Sequence, residues 1–134
     1  MSAEPTDREY RALLRFRHAQ RRFLAFSEHA AAEEGLTTQQ HQLLLAVRGH
    51  EDEAPTTSAI ADLLVLKNHS AVELIDRAVA AGLVERRPDP DDGRRQRIAL
   101  TPTGEEHLGR LTAANLTELR TLRGELLEAL EGLG

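Results

Sequence analysis

Two short helical patterns and a basic hairpin follow one another between Thr56 and Thr101, and this run constrains the fold more than any other part of the chain. The first pattern, at 58–64, follows Thr57 as its candidate N-cap. The second, at 68–81, has its first residue, an asparagine, as the expected cap and ends at Gly82. Two short helices joined by a tight turn bury their facing sides on each other, so the run predicts a helix-turn-helix.

The apolar pattern supports this interpretation, and a hairpin is predicted directly after it. Two segments at 84–87 and 95–100 have the alternating character of β-strands. The residues PDPDDG between them are typical of a turn. Seven apolar residues form the expected skeleton of the helix-turn-helix: Ile60, Ala61, Leu64, Leu66, Ala71, Val72 and Ile75.

Long amphipathic helices are predicted at both ends of the chain, over 6–34 and 102–133. All the aromatic residues of the chain lie on the first of them, in a stripe with spacings of three and four that we interpret as core: Tyr10, Phe16, Phe23 and Phe26. Because the two long helices flank a small centre, we expect them also to pair with a second copy of the chain as a homodimer.

The charge of the chain limits how it can meet nucleic acid. A formal net charge of −5 argues against indiscriminate coating of DNA or RNA. Five arginines nevertheless lie between Arg86 and Arg97, and attraction to phosphate acts locally. The polar N-terminal segment and the absence of an apolar run of bilayer length predict no signal peptide and no membrane partner, hence a cytoplasmic protein.

No cofactor, metal ion or enzyme activity is predicted. The sequence has no cysteine, which excludes disulfides and thiolate metal sites. Its six histidines lack the compact spacing of a zinc site. The serines have no nucleophile context, and no glycine-rich phosphate loop is present.

Polar residues on the outward side of the second short helix are the candidate contacts to bases. In a helix-turn-helix the N-terminal end of this helix enters the major groove. Glu73 has two open interpretations, since its carboxylate either accepts from a cytosine amino group or forms a capping box with Ser70. The candidate residues at this end are Lys67, Asn68, His69, Ser70, Glu73 and Arg77.

The segment GLVERRPDPDDGRRQRIALTPTG resembles the wing of the MarR family of winged helix-turn-helix transcriptional regulators. The family's Asp-x-Arg is matched at 92–94 by DGR, and its Leu-Thr-x-x-Gly at 100–104 by LTPTG. Upstream, SAVELIDRAVAAGLVER is similar to the family's recognition helix, so the resemblance covers about 35–104. It implies a mainly α single domain, 1–134, in which a winged helix-turn-helix (36–101) with a small β-hairpin wing is flanked by dimerisation helices.

The resemblance also implies a function and roles for particular residues. It implies a ligand-responsive repressor that binds a palindromic operator in double-stranded DNA as a homodimer. Asp92 would hold the wing by pairing with an arginine, Arg94 or Arg95 would enter the minor groove, and Arg86 is a further expected DNA contact. The alternative, from another class, is a winged-helix module that binds protein and not DNA. Such regulators bind small aromatic or phenolic effectors, and the candidate pocket residues are Phe16, His18, Phe23 and His41.

Overall fold

A computed structural model describes residues 3–51 and 54–134, so four residues of the predicted domain (1, 2, 52 and 53) lie outside the described residues. The described elements are, in chain order, α1 (Asp7–Glu33), α2 (Thr38–Gly49), α3 (Thr57–Leu64), α4 (Asn68–Ala80), β1 (Val84–Pro88), β2 (Gln96–Leu100) and α5 (Pro102–Glu131). The two strands pair antiparallel. The predicted mainly α fold with a β-hairpin wing is therefore confirmed.

The described chain divides into two compact units. Ala31–Leu111 forms one, which holds α2, α3, α4, the hairpin and the first turns of α5. The part of α1 up to Ala30 and the part of α5 from Thr112 form the other. None of the helices within 3–51 and 54–134 combines the length and the apolar character that a membrane span requires.

Helix starts follow local capping chemistry, though one lies beside the expected residue. The Thr37 hydroxyl accepts from the Gln40 N–H at 3.0 Å, and the Gln40 side chain accepts from the Thr37 N–H at 3.0 Å, so α2 starts with a complete capping box. The expected cap of α3 is wrong by one position. Thr56, and not Thr57, accepts an N–H of the first turn at 3.2 Å.

Apolar burial joins α3 and α4 to α2 and to the hairpin. The predicted Ala61 and Ala71 are buried, but Val72 is an exception to the predicted skeleton because it is 39 % exposed. Val72 falls at the edge of the buried face of α4, and Leu74 turns inward there instead. Each of these elements contributes large, fully buried side chains to the core: Leu43, Leu44, Ile60, Ile75, Val84 and Ile98.

The junction between β2 and α5 gives the Leu-Thr-x-x-Gly motif a physical explanation. The Thr101 hydroxyl accepts from the Gly104 N–H at 3.1 Å, as a helix cap, and donates to the Gly82 carbonyl at 2.6 Å. A Cβ on Gly104 would lie 2.1 Å from the Leu83 carbonyl oxygen. Only glycine therefore allows α5 to begin this close to the backbone that leaves α4.

The aromatic stripe of α1 does not form the expected core. Tyr10 is 62 % exposed and Phe16 37 % exposed, while Phe23 is half-buried. The residues of this helix that are fully buried within the same unit are small, namely Ala12 and Ala19. The interpretation of the stripe as core is wrong for most of its length, because alanines make the close packing and the large side chains lie at the surface of the single chain.

We expect Gly104→Ala to lower the free energy of unfolding by about 1–3 kcal/mol, the usual cost of forcing a methyl group into a filled site. Gly109→Ala is the matched control, because the same helix has nothing within 4 Å of that Cβ position. Alanine there should raise stability by about 0.5–1 kcal/mol through helix propensity. Urea unfolding followed by circular dichroism measures both, and shifts of the same sign in the two variants would contradict the close-approach explanation.

Candidate nucleic-acid interface

A tight turn between α3 and α4 sets where α4 begins. Val65 ends α3 in the left-handed conformation, with φ at 55°, which a β-branched side chain disfavours. The Leu66 N–H donates to the Ala61 carbonyl at 2.8 Å and closes the turn. Sequence reasoning missed this strained and 89 % exposed valine, since glycine is the usual signal for such a conformation.

The N-terminus of α4 differs from expectation in a way that bears on its chemistry. Lys67 occupies the N-cap position without a side-chain hydrogen bond, so the predicted Asn68 cap is wrong and Asn68 is the first helical residue. Ser70 consequently lies inside the first turn, three residues after the cap position. A capping box between Ser70 and Glu73 is therefore excluded, because its serine must precede the helix.

The outward face of α4 carries the polar residues that the sequence singled out. The opposite face is buried through Ala71, Leu74, Ile75 and Ala78. Across residues 3–51 and 54–134, the described contacts give the six candidate side chains no hydrogen bond and no ion pair. They are thus available to an external partner. Five of them are exposed and Ser70 is half-buried, the exposed set being Lys67, Asn68, His69, Glu73 and Arg77.

The turn of the wing is held by an aspartate other than the expected one. Asp92 accepts from the Arg94 backbone N–H at 3.0 Å, and its carbonyl accepts from the Arg95 N–H at 3.0 Å. The expectation that Asp92 pairs with an arginine side chain is wrong. The ion pair belongs instead to Asp89 and Arg97, whose Oδ2 and Nη2 atoms lie 3.1 Å apart.

Asp89 is almost completely buried and anchors the turn in two directions. Its Oδ1 accepts from the Asp91 N–H at 2.8 Å, and its side chain is only 3 % exposed. Arg97 donates from Nε to Asp89 at 3.1 Å and from Nη1 to the Ala54 carbonyl at 2.6 Å. The Asp91 N–H is the main cause that lowers the pKa of Asp89; burial opposes it, and Arg97 adds to the lowering. The wing turn is thereby tied to the chain that leads into α3.

This anchor left only a weak signal in the sequence. An aspartate that bonds the N–H two residues later is a common turn element, and Asp89 follows Pro88 at the end of β1. Nothing in the pattern DPDD distinguishes the buried aspartate from the exposed ones. Burial against Arg97, which depends on the strand register, makes the difference.

The arginines of the wing fall into two groups. Arg86 forms an ion pair with Asp76 on α4, so this expected DNA contact already has a protein partner. Arg94 and Arg95 are exposed, and among the described residues their side chains have no partner. Both border a small cavity of about 190 Å³ beside the start of α3, lined by Thr56, Thr57, Ser58, Arg94, Arg95 and Gln96. The free guanidinium groups and the start of α3 thus share one surface.

The four candidate effector residues are divided between the two units. Phe16, His18 and Phe23 belong to α1, whereas His41 is buried on α2 in the unit 31–111. Burial lowers the pKa of His41, which favours its neutral form. His18 lines a cavity of about 400 Å³, with Leu14, Arg15, Arg21, Glu125 and Glu128. In the described part of the chain no three His, Asp or Glu side chains gather as a metal site would require.

Asp89→Asn should destabilise the wing, and Asp91→Asn should not, although both remove one charge from the same turn. An asparagine keeps an acceptor for the Asp91 N–H but loses the charge that pairs with Arg97. We expect trypsin to cleave after Arg94 and Arg95 faster in Asp89→Asn than in the wild type. Equal cleavage of the two variants would contradict the anchoring role.

The same pair of variants has a pH signature in thermal unfolding. Because the folded-state pKa of Asp89 lies below its ordinary value of 3.8, the ionised carboxylate stabilises the fold fully at neutral pH. The advantage of the wild type over Asp89→Asn should therefore be constant at neutral pH. It should shrink as the pH falls below 3.8 and the native carboxylate takes up its proton. A difference that grows on acidification would mean that the carboxylate is not held as described.

Comparison with known proteins connects this surface to a family. A MarR family model matches residues 34–95, which include all of α2, α3, α4 and β1 and most of the wing turn. No curated protein matches the sequence. The structure of the MarR family transcription regulator SP03579 is 27 % identical, with a TM-score of 0.73, over 86 % of this chain and 76 % of that chain.

Two further structures share the fold. The S. aureus MepR–DNA complex is 22 % identical, with a TM-score of 0.71, over 83 % of this chain and 81 % of that chain. Bordetella bronchiseptica BpsR, whose DNA binding is regulated by 6-hydroxynicotinic acid, is 22 % identical, with a TM-score of 0.63, over 78 % and 74 %. The family match across the helix-turn-helix and the fold shared with SP03579 together show that this chain belongs to the MarR family of winged-helix, DNA-binding transcription regulators.

Proposed function

We propose that this regulator is a ligand-responsive repressor that binds a palindromic operator as a homodimer. One observation carries the proposal: α4 and the wing together present polar and cationic side chains that the described residues leave without partners. The N-terminal residues of α4, Lys67 to Ser70, contact base edges in the major groove. Arg94 and Arg95 contact the adjacent minor groove, where the negative potential is concentrated.

Exposed apolar side chains on α1 and α5 support the homodimer. A soluble single chain seldom exposes this many large apolar side chains on one pair of helices, and such surfaces mark interfaces. The exposed set comprises Tyr10, Leu13, Leu14, Phe16 and Leu24 on α1, and Leu116, Leu119, Leu127 and Leu130 on α5. A two-fold axis through this interface would present two copies of α4 about 34 Å apart, the spacing of successive major grooves on one face of DNA.

The cavity beside His18 supports the ligand response. BpsR is regulated by an aromatic acid, 6-hydroxynicotinic acid, and we propose an aromatic or phenolic acid for this chain as well. Arg15, His18 and Arg21 offer donors for a carboxylate, and Leu14 offers an apolar surface for a ring. Phe16 and Phe23 lie on the same helix. Such a ligand regulates only if it binds the DNA-competent and DNA-incompetent states with different affinity.

The first test compares two double variants on DNA from upstream of the protein's own gene. Arg94→Ala with Arg95→Ala should weaken binding and make the dependence of log affinity on log salt shallower by about 2, one for each lost phosphate-type contact. Arg120→Ala with Arg123→Ala removes the same charge from exposed positions of α5 and should change neither quantity. Absence of wild-type binding at low salt, on this DNA and on random-sequence DNA, would refute DNA binding and favour the protein-binding alternative.

A second test concerns Arg86, whose contact with DNA we replace by an indirect role. Its guanidinium neutralises Asp76, which otherwise would present a bare carboxylate on the face of α4 that approaches DNA. Arg86→Ala should therefore weaken operator binding about tenfold, and adding Asp76→Asn should restore most of the loss. An Arg86 that touches phosphate directly would give a loss that Asp76→Asn leaves unchanged. Fluorescence anisotropy with labelled operator DNA separates the two.

A further inference from the structure

Glu73 occupies the middle of the exposed face of α4. It lies one turn after His69 and one turn before Arg77, diametrically across the helix from the buried Ala71 and Ile75. The described residues provide its carboxylate with neither an ion pair nor a hydrogen bond. With α4 starting at Asn68, the capping role that would have accounted for this glutamate locally is also excluded.

Asp76, the other acidic residue on this face, shows what a carboxylate here normally requires. It is neutralised by Arg86, which reaches it from β1. Glu73 has no such neutralising neighbour and is exposed. A bare carboxylate facing DNA is repelled by phosphates and loses water when the interface closes, so it is costly unless DNA supplies a hydrogen-bond donor.

The major groove offers few such donors. Cytosine presents its N4 amino group without an acceptor on the same base edge, whereas the N6 amino group of adenine lies beside the N7 acceptor, which repels a second carboxylate oxygen. We infer that Glu73 is a specificity-determining residue that requires a cytosine in each operator half-site. The inference rests on the proposed DNA binding by α4 and adds one chemical requirement to it.

The same carboxylate acts against other sequences. On DNA with another base at this position it is desolvated without a donor, which lowers the affinity for non-cognate DNA. Replacing Glu73 by alanine should therefore weaken binding to the cognate site while strengthening binding to non-cognate DNA. A side chain that merely touched phosphate, or merely supported the helix, would change both affinities in the same direction.

The experiment is selection of bound sequences from a randomised double-stranded DNA library by the full chain. The wild type should select a two-fold-symmetric motif with one fixed cytosine in each half-site, and replacing that cytosine should reduce its affinity about tenfold. Glu73→Gln should shift the preferred base at this position toward adenine, whose N6 and N7 atoms match an amide. Glu73→Ala should lose the preference at this one position only. Glu106→Gln, with the same chemical change on exposed α5, is the control and should keep the wild-type motif.

The outcomes separate this inference from the function on which it rests. A wild-type motif that persists unchanged in Glu73→Gln and Glu73→Ala overturns the role of Glu73 and leaves DNA binding intact. Failure of the wild type to select any sequence overturns both. Because Glu73 is exposed and makes no described contact, thermal unfolding should be unchanged in either variant, and lost selection with unchanged unfolding therefore reports on recognition.

Discussion

The ion pair between Asp89 and Arg97 makes the wing and the helix-turn-helix one mechanical object. A two-stranded hairpin is marginal by itself and takes its orientation from what it packs on. Here Arg97 bonds the buried Asp89 of the turn and the Ala54 carbonyl ahead of α3 at the same time. Next to it, the Ile98 N–H donates to the Pro55 carbonyl at 2.9 Å, and Thr56 forms a bridge with Arg97. The guanidinium thus fixes the distance between wing arginines and the start of α3.

Two other links fix the remaining freedom of the hairpin. Arg86 ties β1 to α4 through Asp76. At the base of the hairpin, Thr101 and Gly104 hold the start of α5 against the carbonyls of Gly82 and Leu83. A DNA-reading surface built from separate elements loses less entropy on binding when those elements are already positioned. The links explain why so few side chains need to remain free on the surface itself.

The sequence was sufficient for the elements, their order and the polar residues of α4, because periodicity and turn chemistry are local. It was insufficient wherever the answer depended on the neighbour. The motif suggested Asp92, but strand register and burial select Asp89 for Arg97. A good cap residue at Asn68 suggested the wrong start of α4, because the turn closed by Leu66 places the helix one residue earlier. The stripe on α1 indicated burial without indicating by whom, since a surface that is covered by a second copy has the same apolar pattern as a core.

The balance of charge connects this architecture to selectivity. A chain with net charge −5 gains little from long-range attraction to DNA, so its binding depends on a few cations at close range. The fold spends Arg86 and Arg97 on internal carboxylates and leaves Arg94 and Arg95 at the surface. With Glu73 exposed among the reading residues, sequence-independent attraction is weakened further. Discrimination then comes from short-range complementarity to bases, because the electrostatic background that holds a protein on any DNA has been reduced.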